Sequence, residues 1–302
     1  MEEYTIGTDP EFFLKKGDSY VSAIPFIKGS KHDPKVLPSG GTIQRDNVAV
    51  EFATVPAENG KDFVNKVKDC LKDTIDIIPE GYELVVEPSA TFPESELEDP
   101  EACEFGCDPD FNAYLLSENE KPWCEDSTFR SCGAHIHVGC LNDKGEPTKG
   151  LEFLIEFHGK IETVKAMDLL HGIISTILDN SLAATQRREL YGKAGCHRPT
   201  KYGVEYRVLS NYWMKSPELV MLMNSLTKDA LSLVSSGKLK EVLNLVTEDE
   251  VQDVINNGKV EKANEIVKKH IEQYLSSDSK DLFKLCKDNM KKYKTVKEEW
   301  GL

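Results

Sequence analysis

The chain has 302 residues, a net charge of −15 and 39% hydrophobic residues. It is therefore too apolar for a disordered chain and long enough to bury a large core. No stretch approaches the roughly 20 continuous apolar residues of a membrane helix. Residues 1–30 show no basic start followed by an apolar run, so no secretory leader is expected. The surplus of acid argues against nucleic acid as a partner, because phosphate would be repelled.

Residues 4–14 and 47–55 are short, rich in β-branched and aromatic residues and bounded by turn formers, so both are expected as strands. Side chains alternate along a strand, which puts Asp9 and Glu11 on one face of the first. Two acids that close suit a hard divalent cation as well as they suit a solvated face. In the second, Val48, Val50 and Phe52 share a face, and Glu51 lies opposite between Ala49 and Ala53. A lone acid among small neighbours leaves room for a ligand. Glu58 follows after Pro56, where it suits the start of a helix as well as a site.

Residues 61–78 carry Phe63, Val67, Cys70, Leu71, Thr74, Ile77 and Ile78 at helical spacing. Residues 82–87 read as a further strand. Charge then becomes lopsided. Residues 80–126 hold 15 acids and a single base, Lys121, together with five prolines. Long helices are excluded there, and a solvated excursion or a rim for a cationic substrate is expected. With no leader, the eight cysteines are expected as reduced thiols. Cys103, Cys107, Cys124 and Cys132 lack paired C-x2-C spacing, so small buried thiols are favoured over a zinc site.

Residues 134–140 form a strand with His135 and His137 on one face, flanked by Gly133 and Gly139. Imidazoles so placed can ligate a metal or donate to phosphate. Residues 151–184 are long enough for two helices broken near Gly172. Residues 187–207 gather six basic residues and three glycines in a chain that is otherwise acidic. Arginine forks match phosphate oxygens, and glycines let the backbone approach a ligand. In the strand 202–209, Glu205 and Arg207 face the same way, an arrangement for a cation and the phosphate it bridges. Residues 216–235 form a helix with Ser216 as cap and Pro217 at its first position. Several short helices follow, with a cap at Thr247 and stops at Gly237 and Gly258. Two units are expected: a catalytic domain, 1–236, carrying an acidic, proline-rich excursion at 88–126, and a helical segment, 237–302. The order of elements indicates α+β. No P-loop and no protein-kinase signature set is present.

The four polar groups, in this order, resemble those of the glutamine-synthetase-like carboxylate–amine ligases, and most closely the phage-type COOH·NH2 ligase (type 2) family. The carrying residues are Gly7-x-Asp9-Pro10-Glu11-Phe12-Phe13-Leu14, Glu51-Phe52-Ala53-Thr54, Gly133-Ala134-His135-Ile136-His137 and Val204-Glu205-Tyr206-Arg207. The stretches 105–112 and 188–198 resemble the phage-type ligases in particular. The likeness spans about residues 4–230 and leaves the C-terminal helices unexplained.

The resemblance implies a curved antiparallel half-barrel flanked by helices, with ATP and two or three Mg²⁺ or Mn²⁺ ions in its mouth. It implies ATP-dependent amide formation from a carboxylate and an amine through an acyl phosphate. Carried over residue by residue, Asp9, Glu11, Glu51, His135 and Glu205 hold metal, and Arg188, Arg198 and Arg207 hold phosphates and stabilise the transferring group. His137 and Lys201 contact nucleotide, while Asp108, Asp110 and Glu58 are weaker candidates for the amine substrate. It implies a cytoplasmic enzyme of a bacterial host, with its oligomeric state open. The subunit-completing N-terminal domain of glutamine synthetase has no counterpart, and the elements that select glutamate and ammonia cannot be matched. A guanidino-kinase-like phosphotransferase, a zinc hydrolase built on His135 and His137, and a non-catalytic binding protein remain as alternatives.

Overall fold

The computed structural model describes residues 4–103 and 110–302. Strands in chain order are β1 (Thr5–Thr8), β2 (Glu11–Lys16), β3 (Ser19–Val21), β4 (Lys35–Val36), β5 (Thr42–Asp46), β6 (Ala49–Ala53) and β7 (Glu83–Val85). They continue with β8 (Ser89–Thr91), β9 (Phe111–Asn112), β10 (Ser117–Glu118), β11 (Phe129–Ser131), β12 (Ile136–Gly139), β13 (Cys196–Pro199) and β14 (Gly203–Tyr206). One six-stranded sheet runs β1-β12-β14-β13-β9-β10; a second runs β3-β2-β6-β5-β4, with β7 also on β2; β8 and β11 pair separately. Every pairing is antiparallel, and among the described residues no sheet closes into a barrel. This is the α+β, open-sheet architecture expected from the sequence.

Residues 4–14 depart from the expected single strand. Pro10 has no N–H to donate to a ladder, and the strand breaks at Asp9-Pro10. β1 stays in the first sheet and β2 enters the second. Asp9 therefore follows the end of β1 while Glu11 opens β2 in the other sheet, and the two do not share one strand face. The crossing is tied down by backbone bonds from Thr54 N–H to Thr8 O (2.9 Å) and from Glu11 N–H to Gly133 O (2.9 Å). The Asn211 amide adds a bond to Glu11 O at 2.8 Å.

The helices form as their patterns require. α1 (Gly60–Ile77) is capped by the Asn59 side chain, which accepts from Asp62 N–H, and buries Phe63, Val67, Cys70, Leu71 and Thr74. The long apolar run becomes α2 (Phe157–Met167), a π turn over Asp168–Gly172, and α3 (Ile173–Leu178). The break expected near Gly172 thus takes the form of one wide turn, a distortion that recurs at functional sites. α4 (Leu182–Leu190) is capped by Ser181. α5 (Pro217–Ser235) starts with Ser216 as cap and Pro217 in its first turn, as expected. The short helices α6 (Leu239–Leu243), α7 (Glu248–Asn256), α8 (Val260–Ile266), α9 (Ser277–Asn289) and α10 (Val296–Trp300) follow. Gly237 and Gly258 both take positive φ near the ends of helices.

The buried cluster that holds Ile6, Phe12, Phe52 and Trp213 continues without interruption into Val254, Ile266, Cys286 and Trp300. The Trp300 indole donates to Met214 O at 2.9 Å. The acidic stretch is likewise docked. Phe92, Leu97 and Ala102 bury against Phe13 and Val48 in a smaller second cluster. Arg130 is a main anchor: it donates to Asn47 Oδ1 (2.9 Å) and to Ala102 O (2.6 Å), while the Arg45 Nε–H is shared by both Glu101 carboxylate oxygens at 2.7 Å. Among the described residues the cysteines are free thiols, and Cys107 lies outside them. No helix among those residues is long and apolar enough to cross a membrane.

His171 sits in the middle of the π turn, fully buried, with Nε2 at 3.1 Å from both Met223 O and Thr227 Oγ1. Burial pulls its pKa from 6.5 down to about 4. Below pH 6.5 the unfolded chain takes up a proton that the native imidazole refuses, so stability is lost as pH falls from 6.5 towards 4. His171→Gln should remove this slope. In urea unfolding at pH 7 and pH 5, the wild-type advantage over the variant should shrink by about 2 kcal/mol at the lower pH. An equal loss in both proteins would show that His171 does not titrate this way.

Candidate active site

The site lies where the first sheet meets the start of the second. Register puts Gly7 and Glu205 directly opposite His137, and Arg198 directly opposite Glu205. Tyr206 pairs with Ile136, so His135 and Arg207 fall one residue beyond, on the same face as His137 and Glu205. Asp9 reaches in from the end of β1. Its Oδ1 lies 3.1 Å from His135 Nδ1, and its Oδ2 lies 3.3 Å from His137 Nε2. Arg207 binds Glu205 and also meets His135 Nδ1 at 3.2 Å; Arg198 reaches Glu205 at 3.4 Å. Asp110 completes the ring, with Oδ2 at 3.7 Å from Arg207 Nε and Oδ1 accepting from Asn119 at 2.9 Å.

Ligand atoms of Asp9, His137 and Glu205 all lie within 4.8 Å of one another. That spacing is about twice a metal–ligand bond of ~2.0–2.5 Å, and two carboxylates with one imidazole suit a divalent cation. Burial works against the Asp9 carboxylate, yet the two histidines outweigh it and hold Asp9 well below the usual carboxylate range. Burial also opposes charge on His137, but Asp9 lifts it above its ordinary value. His135 goes the other way: burial, then the Arg207 guanidinium, lowers it. Asp9 thus lies between two imidazoles whose surroundings push them in opposite directions.

Beside this trio lies a second group of acids on the second sheet. Glu11 and Glu51 are direct cross-strand partners, and Gln44 on β5 faces Glu51 and donates to it at 2.8 Å. Burial, then the charge of Asp46, pushes Glu11 up to about 8, while Gly133 N–H pulls the other way with a 2.7 Å bond. Burial, then the charges of Asp9, Asp46 and Glu11, raises Glu51 well above its usual value. Asp46 itself is raised, chiefly by burial. The sequence reading missed Asp46, at the end of β5 before the turn at Asn47, because a turn-flanking Asp reads as turn chemistry. Asn47 takes a left-handed φ of 55° and donates to Ala102 O at 2.9 Å, so the docked acidic stretch holds the Asp46 turn in place.

Asp9, Glu11, Glu51, His135, His137, Glu205, Arg198, Arg207 and Asp110 thus gather in one region. Others do not. Arg188 is buried against Asp179, donating to its carbonyl at 3.0 Å. Its neighbour Arg187, one helical step earlier, donates to Val208 O at 3.1 Å, and its charge, like that of Arg207, reaches Glu11. Lys201 is exposed in the turn before β14, and Glu58 is exposed before α1. Asp108 lies outside the described residues.

Behind the sheet, Asp168 on the π turn accepts from Tyr206 OH (2.7 Å), Tyr114 OH (2.9 Å) and Gly195 N–H (2.7 Å). It thereby ties β14 to the segments beside β9 and β13. An acid inside an apolar helical pattern gave no hint of this.

These features define an open-sheet protein with acids, histidines and arginines clustered where its two sheets approach. Residues 127–300 match the family described as phage phiEco32-like COOH.NH2 ligase-type 2, and the chain belongs to that family. The match runs through the C-terminal helices, which corrects the expectation that the likeness stops near residue 230. In this chain the C-terminal helices belong to the same buried core as the sheets, which continues into Trp300. No curated protein matches the chain. Among solved structures, a bifunctional glutathione synthetase from Pasteurella multocida is similar at 11% identity and TM-score 0.44; the alignment covers 99% of this chain and 48% of that one. The chain thus spans about half the length of that enzyme. A glutamine synthase homolog is similar at 13% identity and TM-score 0.41, covering 96% of this chain and 71% of that one. Both likenesses are too distant to carry the fold or the chemistry.

Proposed function

We propose that the chain is an ATP-dependent carboxylate–amine ligase that activates a carboxylate as an acyl phosphate. The observation that carries this reading is the convergence of Asp9, His137 and Glu205, with Arg198 and Arg207 on Glu205, in a member of a ligase family. Asp9, Glu205 and one histidine would hold a divalent cation, and Glu11 and Glu51 a further one. Such ions would neutralise the charge of a nucleotide's terminal phosphates. Arg198 and Arg207 already neutralise Glu205, and their remaining N–H groups would meet the transferring phosphoryl group. Asp110, an acid bordering Arg207, would attract an amine. Carboxylates are poor electrophiles; the chain's task is to hold one in line with the phosphate, after which an amine displaces phosphate to give the amide. The unit boundary at 236–237 and a cytoplasmic setting belong to the same proposal.

Hydroxylamine tests it. With ATP, Mg²⁺ and a panel of carboxylates, a ligase gives hydroxamate in step with ADP. ADP without hydroxamate would indicate a phosphotransferase, and absence of both across the panel would overturn the activity.

A further inference from the structure

Asp168 is fully buried in the π turn between α2 and α3, among the buried Met167, Leu169 and Leu170. A carboxylate so placed is costly unless its oxygens are hydrogen-bonded. Burial pushes its pKa up to about 7, and the groups that donate to it pull the other way. There are three of them. Tyr206 OH lies at 2.7 Å from Oδ1; Tyr114 OH at 2.9 Å and Gly195 N–H at 2.7 Å share Oδ2.

The three donors come from three segments, and each segment carries a charged member of the site. Tyr206 stands between Glu205 and Arg207 and, by strand alternation, turns to the opposite face. Gly195 leads into β13, which carries Arg198. Tyr114 follows β9, and Asp110 precedes it. On the site face the same segments meet through Arg198 to Glu205 at 3.4 Å and Asp110 to Arg207 Nε at 3.7 Å.

We propose that Asp168 is a positioning residue of the ligase site: one buried carboxylate that draws together, from behind, the segments bearing Asp110, Arg198 and Arg207. Its effect on turnover rests on the ligase reading; its effect on the strands rests on the hydrogen bonds alone. A fully satisfied buried network fixes one arrangement of the elements it joins. The backbone is shaped for the contact. Gly195 takes a φ of 82°, and an added Cβ there would stand 2.8 Å from the Tyr114 ring, so a side chain would push the amide away from Asp168.

The C-terminal helices brace the same corner. The Asn256 side chain at the end of α7 accepts from Ala194 N–H at 2.8 Å, one residue before Gly195. Glu248 at the start of α7 accepts from Lys165 at 2.8 Å, and that ammonium lies 5.2 Å from the centre of the Tyr114 ring. The segment that the family resemblance left unexplained thus supports the loop from which Arg198 projects.

Asp168→Asn keeps the shape but puts a donor where an acceptor is needed. In ADP release with hydroxylamine as the amine, it should lower kcat by about 10²-fold, the cost of a small misplacement of the groups around the reacting atoms. The apparent KM for ATP should stay nearly unchanged, a split that loss of folded protein does not produce. Tyr206→Phe fills the same space and loses one of the three bonds; it should show the same pattern at about 10-fold. The double variant should be no slower than Asp168→Asn, because both changes break the same link. Amide hydrogen exchange, read by mass spectrometry, should speed up over residues 194–207 in Asp168→Asn and not in α1. Wild-type kcat in both single variants, additive losses in the double variant, or exchange that rises equally in α1 would overturn the assignment. A wild type that makes neither ADP nor hydroxamate would overturn the ligase reading, and the exchange comparison would then decide the positioning by itself.

Discussion

Arg207→Lys should cut ATP-dependent ADP formation by about 10²–10³-fold, the usual cost of losing one preorganised donor at a developing charge. Arg207 is 6% exposed and spans Glu205, His135 and Asp110 at once. It joins the side of the site that would hold metal to the side that would receive an amine. Lysine keeps the charge but offers a point in place of a planar fork, and it cannot meet three groups together. The loss should fall on kcat more than on the apparent affinity for ATP, because the contact that matters is made to charge developing in transfer. Steady-state ADP release with a far-ultraviolet circular dichroism control decides it. A variant with wild-type turnover would remove Arg207 from the phosphate-binding set.

Glu51→Gln should abolish the same reaction and yet raise the melting temperature of the metal-free protein. Glu51 stands directly across from Glu11, with the charges of Asp9 and Asp46 also raising its pKa. Like charges opposed across a sheet destabilise it, and burial deepens the cost. An amide keeps the shape and can still accept from Gln44, which now donates at 2.8 Å. Relief of about 1–2 kcal/mol would move the midpoint up by a few degrees in a protein of this size. Mg²⁺ or Mn²⁺ should stabilise the wild type by neutralising the same acids, and the variant less. Differential scanning calorimetry with and without metal measures all four states. If the metal-free variant melted below the wild type, the strained-acid account would fail.

The same crowding separates the two halves of the site. On the side of the first sheet each acid has a basic group beside it: Asp9 has His137, and Glu205 has both arginines. In the second, burial raises Glu11, Glu51 and Asp46, the charge of Asp46 adds to both glutamates and that of Glu11 to Glu51, with Arg187 and Arg207 as counter-charges of Glu11. The first half is organised before any ligand arrives. The second is held in place by the surrounding fold against its own repulsion, and a cation would complete it.

Local chemistry made much of this legible. Apolar spacing determines α1, and spacing with the Ser216 cap determines α5, because a helix's first turn needs such an acceptor wherever it packs. Two-residue alternation put His135 with His137, and Glu205 beside Arg207, on one face, and it separated Glu51 from Val50 and Phe52. These are properties of a single strand. Pairings between strands are not: register made His137 the partner of Glu205 and Glu11 the partner of Glu51, and no periodicity encodes which strands meet. Residues 4–14 read as one strand, and only the tertiary structure ended β1 before Asp9 and put Glu11 into the other sheet. Arg187 and Arg188 are equivalent by composition, and one step around a helix turned one towards Glu11 and the other onto Asp179. The sequence by itself determined which chemical groups each strand presents. Packing at long range decided which of them share a charge, because that depends on distances the chain acquires only once its sheets have met.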